Sequence, residues 1–85
     1  MSGDTSQTGC RRHSVEITNR SESSIMVYVE PWGDEFSLQP MEQIRVDIIG
    51  PVQKAIPISH LGESIVVEGW EGTNVEVWKG EERLN

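Results

Sequence analysis

Eighty-five residues leave room for one domain with one modest core, and fourteen acidic against seven basic residues give a formal charge of −7. A surface of that sign repels nucleic acid and anionic membranes, because affinity for phosphates rests on Lys and Arg. A single cysteine, Cys10, excludes a scaffold built on intramolecular disulfides, and no apolar run is long enough to span a bilayer as a helix.

Taken in order, residues 1–12 (MSGDTSQTGCRR) are almost wholly polar and are expected to form a flexible tail ahead of a single all-β domain over residues 13–85. They contain no hydrophobic signal core, which points to a cytoplasmic protein. A first strand is expected over Ser14 to Arg20, with Val15 and Ile17 inward, followed by a polar turn from Asn19 to Ser23.

Ile25 to Leu38 carries the strongest pattern. Ile25, Val27 and Val29 alternate with polar or larger residues, Pro31-Trp32-Gly33-Asp34 breaks the run, and Phe36 and Leu38 resume the period of two. Such alternation marks a half-buried strand, and a proline followed by a glycine supplies turn chemistry, so a hairpin is expected here. After a reversal at Gln39 to Glu42, Ile44, Val46 and Ile48 alternate with Gln43, Arg45 and Asp47 in another strand, which Gly50-Pro51 ends. Between Val52 and Ser59 the pattern is weaker, and Pro57 confines any strand there to a sheet edge or a bulge. His60 to Glu63 reads as a turn.

Ser64 to Lys79 reads as a second hairpin with a loop at Glu71-Gly72-Thr73. Pairing Gly69 with Val75 and Val67 with Val77 puts Ile65, Val67, Val75 and Val77 on one face. The same register puts Val66, Glu68, Trp70, Glu76 and Trp78 on the other. Leu84 is expected to fold back on the core. The total is about seven short strands without helical periodicity, the pattern of a small antiparallel β-sandwich or partly open barrel.

Catalytic chemistry finds little support. Cys10 and His13 stand at C-x2-H spacing with only His60 besides, too few ligands for a structural zinc site. No serine lies in a nucleophile elbow, and neither a G-x-G-x-x-G nor a Walker sequence is present. Carboxylates are abundant, but a chain this short offers little wall for a substrate cleft. No enzyme, metal or cofactor is expected. Three tryptophans, Trp32, Trp70 and Trp78, are many for this length. A core with one Phe and one Tyr is expected to draw at least two of them inward, leaving Trp32 in its turn the most exposed. Exposed on one face, Trp70 and Trp78 with Glu68 and Glu76 between them would form an aromatic strip flanked by carboxylates, with Trp32 a third ring capping one end of the sheet. These five are the candidate binding residues.

The string Glu30-Pro31-Trp32-Gly33-Asp34-Glu35-Phe36, with Leu38, Pro40 and a later Gly69-Trp70-Glu71-Gly72, resembles a group of uncharacterised small bacterial proteins. Their pattern is E-P-W-G-[DE]-E-[YF]-x-L-x-P, followed by a final hairpin with G-W-x-G. The likeness covers about Val15 to Leu84. It implies a bacterial, single-domain, all-β protein and carries no activity to transfer; Glu71 departs from it where a small residue or Pro is implied. The reading that results is a non-enzymatic interaction module for a protein partner or a second copy of itself. The alternative is a binder of small ligands or glycans through its tryptophans.

Overall fold

In the computed structural model, which describes residues 11–51 and 55–85, the alternating runs become eight strands and no helix among the described residues. They are β1 (Arg11–Thr18), β2 (Ile25–Glu30), β3 (Asp34–Leu38), β4 (Gln43–Gly50), β5 (Ile58–Leu61), β6 (Ser64–Glu68), β7 (Asn74–Lys79) and β8 (Glu82–Arg83). A front sheet has the order β1-β4-β7-β8 and a back sheet the order β3-β2-β6-β5. Ile17, Ile44, Val46, Ile48, Val75 and Val77 from the front meet Val27, Val29, Leu38 and Val67 from the back in one buried cluster. Two sheets closing on a shared apolar layer make a sandwich. Leu84 packs against that cluster, as expected.

The hairpin over Ile25 to Leu38 forms with Ile25 opposite Leu38 and Val29 opposite Asp34. Its turn is held by the Gly33 amide donating to the Val29 carbonyl, with Gly33 at φ +80°, and the Glu30–Pro31 bond is cis. The first strand begins earlier than expected, at Arg11, so Arg11 and Arg12 belong to the sheet. The remainder of the expected tail, residues 1–10, lies outside the described residues, as do Val52 to Lys54. Pro57 stands immediately before an edge strand, β5, which includes His60 where a turn was expected.

The expected hairpin over Ser64 to Lys79 is not formed. β6 lies in the back sheet between β2 and β5, and β7 lies in the front sheet between β4 and β8. Residues 69–73 therefore arch from one sheet to the other across the end of the sandwich. Alternation assigns a face to each strand but not a neighbour, and two strands that bury valines can face each other across a core as well as lie side by side. The face assignment survives: Val67, Val75 and Val77 are buried, and Ile65 packs against the core. β6 runs parallel to β2, which makes the back sheet mixed where an antiparallel one was expected.

Candidate functional site

Because β6 and β7 part company, the five expected site residues divide into two groups. Trp78 and Glu76 lie on the outer surface of the front sheet. There Asp47 sits directly opposite both Ser14 of β1 and Glu76 of β7. Carboxylates placed directly across a sheet repel each other. Arg12 bridges this pair, at 2.6 Å from Asp47 Oδ2 and 3.1 Å from Glu76 Oε1. Asp47, whose side chain has no exposure, also accepts from Ser14 Oγ at 2.7 Å and from Arg45 Nε at 3.0 Å.

Burial alone pushes the Asp47 carboxyl up, but the hydrogen bonds from Ser14, Arg12 and Arg45 outweigh it and hold its pKa below the ordinary value. Glu76 is held low first by Arg12 and then by the Trp78 indole, whose Nε1 donates at 3.1 Å. The Arg45 guanidinium lies over the Trp78 ring, 5.6 Å from its centroid. The charges and the ring of this group are thus engaged within the chain.

The second group gathers where the arch crosses the end of the sandwich. The Gly69 amide donates to the Glu30 carbonyl at 2.7 Å, which ties the arch to the end of β2. Trp70 Nε1 donates to the Pro51 carbonyl at 3.0 Å, and the Trp70 amide donates to Thr73 Oγ1 at 3.3 Å. His13 meets the Trp70 ring edge-on, with centroids 5.3 Å apart. Trp70 and Trp78 are both half-buried, and Trp32 is 36% exposed, the order expected of the turn residue.

Trp32 rests on Gly69. A Cβ at Gly69 would fall 2.6 Å from Trp32 Cζ3 and still nearer Cη2, so this approach requires the missing side chain. The strings Glu30-Pro31-Trp32 and Glu68-Gly69-Trp70-Glu71, far apart in the chain, therefore form one junction.

Two hollows open on either side of it. One, of about 480 Å³, is lined by Glu30, Pro31, Glu68, Gly69, Trp70 and Glu71. Glu30 and Glu68 are direct neighbours in the parallel β2–β6 register, the same like-charge placement as Asp47 and Glu76. Here no arginine or lysine among the described residues forms an ion pair with Glu30, Glu68 or Glu71. Next in register stand Tyr28 and Val66, both half-buried on the same outward face. The other hollow, of about 600 Å³, is lined on its several sides by Trp32, Asp34, Asn74, Glu76 and Arg83 with parts of Ile49, Val75 and Asn85.

Glu30, Pro31, Tyr28 and Glu71 were not among the expected site residues. The Glu30-Pro31-Trp32 string marks a segment that lines these hollows, but the pairing of Glu30 with Glu68 depends on a strand order that local pattern does not carry. Compared with protein-family models, with curated proteins and with solved structures, the chain matches none.

Proposed function

We propose that this protein is a non-enzymatic interaction module that receives a cationic side chain of a protein partner between Glu30, Glu68 and Trp70. The observation that carries this reading is the contrast between two like-charge pairs. Asp47 and Glu76 are bridged by Arg12 from within the chain, whereas Glu30 and Glu68 hold the same cross-strand relation without such a bridge among the described residues. A guanidinium or ammonium entering the hollow relieves that repulsion and meets the Trp70 ring, each contact worth roughly 0.5–1 kcal/mol at an exposed site. Tyr28 and Val66 extend an apolar strip for the flanking residues of the partner. The acidic surface raises the encounter rate with a basic partner.

The test is a titration of the full chain with tetra-arginine and, as control, tetra-glutamate, followed by amide and indole NMR shifts. Saturable shifts at Glu30, Glu68 and the Trp70 indole with tetra-arginine alone support the reading. Shifts that are absent there, or that spread evenly over all carboxylates, reject it.

A further inference from the structure

We infer that the second hollow, at the corner where β7 and the end of the chain meet the Trp32 turn, is a separate binding site for a neutral saccharide. This goes beyond the cation-binding reading and uses none of the carboxylates that reading needs. The wall is an aromatic ring that is both accessible and fixed: Trp32 is 36% exposed, while its far edge is seated on Gly69. A ring held in place costs less ordering on binding. Its π face is electron-rich and suits the partly positive C–H face of a pyranose.

Around that wall stand the groups that bind hydroxyls. Asp34 accepts, the Asn74 amide both donates and accepts, and Arg83 donates. Neither the Asp34 carboxylate nor the Asn74 amide makes a side-chain hydrogen bond to another described residue, which leaves both unengaged by the described structure around the hollow. Arg83 is held loosely, with Nε 3.3 Å from Asn85 Oδ1 and a guanidinium nitrogen 3.8 Å from Glu76 Oε2. The charge balance selects the ligand class. Arg83 discourages a cation, which separates this hollow from the one lined by three carboxylates, and Asp34 with Glu76 discourages a phosphate or sulfate. What remains is a neutral polyhydroxylated ring, and about 600 Å³ admits one or two sugar units.

The experiment titrates the full chain with glucose, galactose, N-acetylglucosamine and maltose, with arginine hydrochloride and inorganic phosphate as charged controls. Amide and indole NMR shifts give the site and the affinity. At least one sugar is expected to shift Trp32, Asp34 and Asn74 saturably, and Asn74→Ala and Asp34→Ala each to weaken it about fivefold or more, roughly one lost hydrogen bond. Asn74 is exposed and Asp34 half-buried, so thermal unfolding of each variant confirms that the fold is kept before its affinity is read. Glu68→Gln is expected to leave sugar binding unchanged, which separates this site from the cation hollow. The proposal is overturned by the absence of saturable shifts at those residues with any of the four sugars. Affinity unchanged in both alanine variants, or arginine or phosphate displacing the sugars as preferred ligand, overturns it equally.

Discussion

Glu30 and Glu68 are direct neighbours across the parallel β2–β6 pair, at the point where the arch between the two sheets begins. Two carboxylates so placed work against the fold, and on the front sheet the chain answers the same problem with Arg12. On the back sheet no described arginine or lysine makes the corresponding bridge to Glu30 or Glu68.

Replacing Glu68 therefore separates stability from binding. Glu68→Gln removes the repulsion and is expected to leave unfolding free energy unchanged or raise it by roughly 0.2–0.5 kcal/mol. The same change weakens tetra-arginine binding by about two- to fivefold. Urea denaturation and the NMR titration read the two effects independently, and a clear loss of stability would contradict the account of this pair.

Acid sensitivity follows from Asp47, Glu76 and Glu42. The Glu42 carboxyl is lowered first by the Lys79 ammonium and then by the Gln39 amide, as Asp47 and Glu76 are lowered by their own donors. A carboxyl whose folded pKa is depressed contributes stability that is fully present above its unfolded pKa. Between the two pKa values the unfolded chain takes up the proton and the folded chain does not, so stability falls as pH falls. Thermal unfolding is expected to be flat from neutral pH to about 5 and to drop steeply below about 4. Ser14→Ala, which removes a donor from the fully shielded Asp47, is expected to cost about 1–2 kcal/mol at pH 7 and to make the acid limb shallower.

Gly69→Ala tests the seat of Trp32. The added methyl meets Cζ3 and Cη2 of the indole, and either the ring swings outward or the arch shifts, at about 1–3 kcal/mol. In a Trp70→Phe, Trp78→Phe background, red-shifted and more readily quenched Trp32 emission is the expected result. Unchanged emission would mean that Gly69 does not hold the ring.

Met41 is the one described residue other than glycine with a left-handed backbone, at φ +68°, and its side chain is 71% exposed. Its amide donates to the Asn19 carbonyl at 2.6 Å, which fixes the turn. A side chain that gains little from burial and sits in a disfavoured conformation is a candidate for relief. Met41→Gly is expected to stabilise the protein by about 0.5–1 kcal/mol, read by urea denaturation.

Faces were legible in the sequence where partners were not. Alternation at Ile44, Val46 and Ile48, and at Val75 and Val77, places these side chains in the core because a period of two has only two sides. The Pro31 to Gly33 turn declares the hairpin because its two strands are joined by a few residues of turn chemistry. The arch at Gly69 to Thr73 has the same local composition as a hairpin loop, and only the competition of β2 and β4 for β6 and β7 decides between them.

Polar residues misled for a related reason. Asp47 occupies an outward position in the alternation, yet Arg12, Ser14 and Arg45 from around it remove all its exposure. Asn19, in what reads as a solvated turn, is 2% exposed and donates to the carbonyls of Ser23 and Leu38 while accepting from Ser21. Both depend on contacts between distant segments, which composition does not encode. The Trp70/Trp78 strip fell with the hairpin that would have built it.

Capture of a partner's cation by the Glu30–Glu68 hollow is read from the salt dependence of tetra-arginine binding in wild type and Glu68→Gln. Between about 0.01 M and about 1 M salt the Debye length shrinks from ~30 Å to ~3 Å. Saturable shifts centred on Glu30, Glu68 and the Trp70 indole are expected, with affinity falling as salt rises and falling less steeply in Glu68→Gln. Binding of equal strength and equal salt slope in the two proteins would contradict it.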